Sequence, residues 1–228
     1  MNIDQRVQKP LTRVALAGFG AWGQMHARAI AAIDGVDVVA VLVRSAASRQ
    51  AAAQLLPEAR LYDDYAQMLA ASDVDVVNVV LPNHAHAQAA IDALHADKHV
   101  LLEKPMGLSL SECDAVAAAS RCTGRLVAVN LELRVSKQWG AVHDMVARGD
   151  FGDLRFQHLS LFRRPFKTGS GGWRYDRARV GSWVLEELVH FIDLVLWYGE
   201  GLGAPIKVSA FGGDPASGLS DQIGRAHV

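Results

Sequence analysis

The sequence predicts an α/β protein, with a doubly wound parallel sheet over its first half and a smaller α+β segment after it. Three observations lead there. Short, almost wholly apolar runs alternate with Ala-rich stretches of helical length as far as about residue 130. Those runs do not alternate apolar with polar residues, which marks strands covered by helices on both faces. Beyond Asp150 the texture changes to a looser alternation, a Gly-rich loop and one long apolar helix.

The elements follow in order. Strands are expected at Val14–Phe19, Val36–Val43, Val74–Leu81, His99–Glu103 and Leu126–Asn130, with a short one at Arg60–Tyr62. Helices are expected at Ala21–Ile33, Ala46–Leu56, Tyr65–Ala71, His84–Ala96 and Ser109–Ser120. Strand–helix alternation at this spacing implies right-handed crossovers in a doubly wound sheet. The first domain is expected to span 1–132 and a second, partial domain 133–222. In the second, Leu154–Arg164 reads as a half-exposed strand, Thr168–Gly181 as a loop, Ser182–Tyr198 as a helix and Ile206–Phe211 as a strand.

Bulk properties narrow the function classes. The chain has 228 residues, half of them hydrophobic, and a formal net charge of −1. That balance argues against a nucleic-acid or membrane-surface partner. No apolar run reaches the ~18–20 residues of a membrane span, and Met1–Thr12 lacks the apolar centre of a signal peptide. A cytoplasmic protein is expected. Cys113 and Cys122 fit neither a disulfide framework nor metal-ligand spacing. His84 and His86 lack a third ligand, so no metal is expected.

Gly18-Phe19-Gly20-Ala21-Trp22-Gly23 fits GxGxxG. Alone the pattern is weak, but here it follows the first apolar strand and opens a helix, as a dinucleotide-binding turn of a Rossmann domain requires. The first glycine permits the tight turn, the second lets the backbone approach a pyrophosphate, and the third lets helix and strand pack closely. A plain strand–helix turn with packing glycines and a methyltransferase-type loop are the alternatives. An NAD site usually carries an acidic side chain where the second strand ends. This chain has Val43-Arg44-Ser45 there, and Asp34 and Asp37 lie at the strand's other end. Arg44 and Ser45 suit a 2′-phosphate by charge pairing and hydrogen bonding. NADP is therefore the expected cofactor, with NAD as the alternative; a solvated surface arginine is the bland reading of Arg44.

Further on stand Leu81-Pro82-Asn83-His84-Ala85-His86 and His99-Val100-Leu101-Leu102-Glu103-Lys104-Pro105. With the glycine turn, these segments make the stretch from Arg13 to about Tyr198 resemble the Gfo/Idh/MocA oxidoreductases, a family that includes glucose–fructose oxidoreductase and inositol dehydrogenases. All three segments end strands, where open α/β sheets bind ligands. The resemblance implies that Leu81, Pro82, Asn83, His86 and Glu103 help hold the cofactor. It places Lys104 beside the nicotinamide, hydrogen-bonded to the reacting substrate oxygen, where an ammonium stabilises developing charge. A solvated lysine beside a structural proline is the bland alternative. The resemblance also implies Trp173, Arg174 and Asn130 as cofactor-side candidates, with Arg134 a weaker one.

In Ser182–Tyr198, Glu186, His190 and Asp193 fall at i, i+4 and i+7, so they share a face. Three ionisable groups on a mostly apolar helix need partners, since unpaired buried charge is costly; mutual pairing in a core would be one answer. The resemblance supplies another: His190 matches the family's general acid/base, and Glu186 stands where an aspartate is usual, there to orient the imidazole. Asp193 matches a frequent family acid. The implied reaction is hydride transfer between a nicotinamide and a sugar, sugar derivative or cyclic polyol. The alternatives are a non-catalytic NAD(P)-binding sensor of the same fold, or an inactive fragment.

The resemblance further implies that the second domain is an open, mostly antiparallel sheet, here incomplete, and that the full-length form is a homo-oligomer. The last residues, 223–228, read Ile-Gly-Arg-Ala-His-Val. A common sequencing-adapter sequence encodes that string, so these six are expected to be a non-native tail.

Overall fold

The computed structural model describes residues 11–71, 73–161, 168–213 and 222–227. They fall into two compact units. The first takes the chain up to Leu81, then Ala85–Glu103 and Ser111–Ala128; the second takes Pro82–His84, Lys104–Leu110 and the chain from Val129 onward.

The first unit follows the apolar runs closely. Strands β1 (Thr12–Ala17), β2 (Val36–Leu42), β3 (Arg60–Tyr62), β4 (Val76–Val79) and β5 (His99–Glu103) alternate with helices α1 (Ala21–Ile30), α2 (Ala46–Leu55), α3 (Tyr65–Leu69) and α4 (His86–His95). Helix α5 (Leu110–Thr123) leads to β6 (Val127–Asn130). The sheet order is β3-β2-β1-β4-β5-β6. The β1–β2, β2–β3, β1–β4 and β4–β5 pairs are parallel. Strand order therefore reverses between β1 and β4, the switch point at which such sheets bind ligands.

The strands are apolar because both faces are covered. Ala15, Leu16, Ala17, Val41, Val77, Val79 and Leu102 are fully or almost fully buried. Leu16, Phe19, Ala27, Val41, Val43 and Ala52 form one cluster, and burying each large member contributes about 1.5–3 kcal/mol. Helix starts are specified locally. Ser45 caps α2 and Asp64 caps α3, each accepting a backbone N–H with its side chain. Lys98 is buried but satisfied, donating to the carbonyls of Ala71 and Val74.

The second unit contains α6 (Lys137–Ala147), the short α7 (Arg177–Val180), a π-helical turn at Val184–Leu188 and α8 (Val189–Tyr198). α6 and α8 meet through Trp139 and Phe191, edge to face at 6.4 Å, and through the Tyr198 hydroxyl, which donates to the Trp139 carbonyl at 3.1 Å. His143 stacks on Trp197 at 4.0 Å. Strand β7 (Ser209–Gly213) pairs antiparallel with β8 (Gln222–His227), and β8 takes in most of the string expected to be a tail.

Two expectations need correction. The strand expected over Leu154–Arg164 is absent from Leu154–Leu161, which forms no ladder; residues 162–167 lie outside the described ones. An extended segment becomes a strand only with a partner, and alternation alone does not supply one. The single helix expected over Ser182–Tyr198 is two winds, π then α.

Candidate active site

In the first unit, the glycine turn shows why each glycine is there. Gly18 has φ +108°, and a Cβ on it would collide with the Val80 carbonyl. A Cβ on Gly23 would collide with the Gly18 carbonyl, so these two glycines interlock the turn with β4's exit and the helix. Gly20 differs: nothing lies within 4 Å of where its Cβ would stand. It is the N-cap of α1 with no side-chain cap, and no acidic residue occupies the first turn. Open space, uncapped N–H groups and the positive end of a helix suit a pyrophosphate. The residues thus fit a dinucleotide, which when bound supplies hydride chemistry. Phe19 turns into the core. Trp22 is half exposed, its indole N–H donating to Glu103, and Ala21 opens the helix.

At the exit of β2, Arg44 is exposed. The Ser45 hydroxyl is committed locally, since it accepts from the Ser48 N–H at 3.1 Å while the Ser48 hydroxyl accepts from the Ser45 N–H at 3.1 Å. After β4, the buried His86 ring donates from Nε2 to the Leu81 carbonyl at 2.7 Å, fixing the turn that carries Leu81 and Pro82.

The second unit gathers Lys104, Arg174 and Asn83 around one carboxylate. Glu186 is 1% exposed. The Asn83 amide donates to its Oε2 at 2.9 Å and to the Val180 carbonyl at 3.1 Å. The Arg174 guanidinium lies 2.9 Å from Oε1. The Lys104 ammonium stands 3.9 Å from Oε2 and donates to the Glu186 backbone carbonyl at 2.6 Å. A buried carboxylate is tolerable only when so surrounded. The arrangement fixes the Lys104 nitrogen at a defined point. The Lys104–Pro105 peptide is cis. Arg174 also lies over the Trp173 ring, 5.3 Å from its centroid.

The π turn separates the three acids and bases expected on one stripe. Glu186 meets Lys104, Asn83 and Arg174. The buried His190 ring instead faces Glu132, with Nδ1 3.4 Å from Oε2. Both Asp193 oxygens accept from Arg134, at 2.7 and 2.6 Å. This bidentate bond pushes the Arg134 guanidinium above its ordinary value, and Arg134 also covers the Trp197 ring. Asn130 is half-buried, ending β6. Glu132 is the residue that sequence reasoning missed. It lies in a single turn, Glu132–Val135, between β6 and α6, and carries no motif; its closeness to Asn130 and Arg134 was the only available signal. Among the described residues, no cluster of three His, Cys, Asp or Glu side chains is placed to hold a metal ion.

Comparison with known proteins adds the family. Residues 12–131 match the Gfo/Idh/MocA family, described as an oxidoreductase family with an NAD-binding Rossmann fold. Inositol 2-dehydrogenase of Salmonella typhimurium is 30% identical over 188 residues, which cover 81% of this chain and 54% of that protein. The 4-carboxy-2-hydroxymuconate-6-semialdehyde dehydrogenase of a Sphingobium species is 33% identical over 186 residues, 80% of this chain and 57% of that protein. This chain thus spans about half the length of the curated relatives it matches. Among solved structures, an NAD-binding protein from Listeria innocua superposes with a TM-score of 0.73 at 26% identity, covering 89% of this chain and 58% of that one. Myo-inositol 2-dehydrogenase from Lactobacillus plantarum superposes at 0.76 over 92% of this chain and 61% of that one, and at 24% identity the likeness concerns fold. A family match over more than half of the chain, with the glycine turn, the Pro82-Asn83 turn and Glu103-Lys104-Pro105 in order, makes this chain a member of the Gfo/Idh/MocA oxidoreductases.

Proposed function

We propose that this chain is the cofactor-binding part, with some of the substrate-binding part, of an NADP-preferring dehydrogenase that moves a hydride between the nicotinamide and a sugar, sugar derivative or cyclic polyol. The observation that carries the reading is the Lys104 ammonium, held by both the backbone carbonyl and the carboxylate of Glu186, in a chain whose relatives include an inositol 2-dehydrogenase.

In the oxidation direction, His190 takes the proton of the substrate hydroxyl. Glu132, facing Nδ1, orients the ring so that Nε2 is the working nitrogen. Lys104 stabilises the negative charge that develops on the same oxygen, and a preorganised donor of this kind is worth about 10²–10³ in turnover. Glu186, Asn83 and Arg174 keep that ammonium in place. Arg44 favours NADP, since its guanidinium can pair with a 2′-phosphate and the chain leaving β2 reads Val43-Arg44-Ser45, without an acidic residue. Homo-oligomerisation of the full-length protein is part of the same proposal.

The test is a titration of the protein with NADPH and NADH, followed by nicotinamide absorbance assays against sugars and cyclic polyols. Tighter binding of NADPH and turnover on a polyol or sugar are expected. Lys104→Ala should lower turnover about 100-fold or more while leaving cofactor affinity nearly unchanged. Binding without turnover by the full-length protein would favour a sensor of the same fold, and binding without turnover by this chain alone would mark it as an inactive fragment; no binding of either dinucleotide would end the proposal.

A further inference from the structure

Four polar side chains of the first unit form a connected set that the chemistry above does not use. Asn78 sits in β4, opposite Leu16 of β1 and Leu101 of β5. Its Nδ2 is 2.9 Å from His26 Nδ1. His26 Nε2 is 2.9 Å from Glu103 Oε1, and the Trp22 indole N–H donates to that same oxygen at 3.0 Å. With the Asn78 amide donating to Nδ1, the neutral imidazole carries its proton on Nε2 and donates it to Glu103. One carboxylate oxygen thus receives two donors from α1, and α1 is tied to both β4 and β5.

The set is built at a cost. Asn78 and Glu103 are 1% and 5% exposed, and a carboxylate that deep is unfavourable unless donors meet it. Packing alone would be met by a leucine. The spacing explains the choice. Trp22 and His26 are four apart on α1, so they share one face of the helix. Trp22 also belongs to the glycine turn, in the first turn of α1, whose Gly20 cap has no side-chain partner. Glu103 therefore holds α1 by two side chains, one of them in the first turn beside the uncapped Gly20.

We infer that Glu103 is a positioning residue for the dinucleotide, acting through Trp22 and His26 on the first turn of α1 without itself touching the cofactor. The inference rests on the cofactor reading given above and goes beyond it. A binding turn ordered in advance does not have to be ordered at the cofactor's expense.

The test measures NADPH affinity of the folded protein by calorimetry, together with the Trp22 indole N–H resonance, assigned by its loss in Trp22→Phe. Glu103→Ala and His26→Ala should weaken binding about tenfold or more, and Glu103→Ala should shift the Trp22 resonance upfield. Glu103→Gln keeps an acceptor for both donors and should restore affinity to within about threefold of the wild type. Wild-type affinity in a folded Glu103→Ala protein overturns the inference while leaving the cofactor reading intact. Failure of the wild type to bind either dinucleotide overturns both. Should Glu103→Ala not fold, Trp22→Phe removes one donor and leaves the carboxylate with His26; unchanged affinity there also overturns the inference.

Discussion

Arg44 and Glu186 carry charge in opposite circumstances, and their substitutions should read out differently. Arg44 is exposed, so removing it leaves the fold untouched. Arg44→Ala should weaken NADPH about 10- to 100-fold, the worth of a lost charge-assisted contact, with NADH hardly changed. The ratio of the two affinities in a binding titration checks this, and an equal loss for both cofactors would remove Arg44 from the 2′-phosphate role. Glu186 is enclosed by two cations and an amide. Glu186→Gln takes away the charge both cations share, and breaking a buried network of this kind costs about 3 kcal/mol or more. A urea unfolding midpoint measures it, and a loss under about 1 kcal/mol would show that the cations find other partners. At this scale much of the candidate site was legible. Glu186 and His190 were singled out by helical spacing, and Lys104, Asn83 and Arg174 by the family resemblance. Their pairing was not, because a side chain's partner depends on backbone winding that residue types do not encode. Glu132 beside His190 is the clearest case.

Elements whose period was strong were readable almost to their ends. α1, α2 and α4 begin and stop within a few residues of expectation, since each carries apolar residues at helical spacing, and α2 also has the Ser45 cap. α6 went unassigned although Trp139, Val142 and Val146 mark a stripe. Gly140 in its interior lowers helix propensity by about 1 kcal/mol and hides the pattern. The π turn at Val184–Leu188 was invisible for a different reason: its sequence is compatible with an ordinary helix, and one added residue in the winding rotates Glu186 away from His190's partner. Such turns recur at functional sites. The glycine turn gives a paired prediction at this scale. Gly18→Ala meets both a left-handed backbone and the Val80 carbonyl, and should destabilise by about 3 kcal/mol or abolish folding of the turn. Gly20→Ala has φ −73° and open space. It should cost within about 1 kcal/mol of stability yet weaken dinucleotide binding, because the new methyl fills the approach. Denaturant unfolding alongside a cofactor titration separates the two, and equal behaviour of the variants would refute distinct roles for the glycines.

For the molecule as a whole, alkaline stability has an identifiable contributor. Tyr65 on α3 donates its hydroxyl to the Ala89 carbonyl of α4 at 2.7 Å, and burial pushes its phenol above the ordinary value. The fold favours the neutral form. Its contribution is therefore complete below the unfolded phenol's value of about 10 and is lost as pH rises past it. Tyr65→Phe should cost about 1 kcal/mol near neutrality and flatten the fall in stability above about pH 10. Unfolding curves across that range check it, and an unchanged slope would assign the fall to other groups. The fold class was legible at this scale because continuous apolar runs and crossovers leave few topologies. The missing ladder at Leu154–Leu161 was not, since pairing is decided by segments far away in sequence.

The second unit is not one stretch of chain. Asn83 and Lys104 reach it from excursions out of the first, at 82–84 and 104–110. Domain-swapping by simple gene fusion therefore has a built-in penalty. A graft that starts at Val129 would carry Glu186, Arg174 and His190 into a new host but strand the buried carboxylate without its lysine and its amide. Any chimaera that exchanges the second unit must exchange the two short excursions together with the long one.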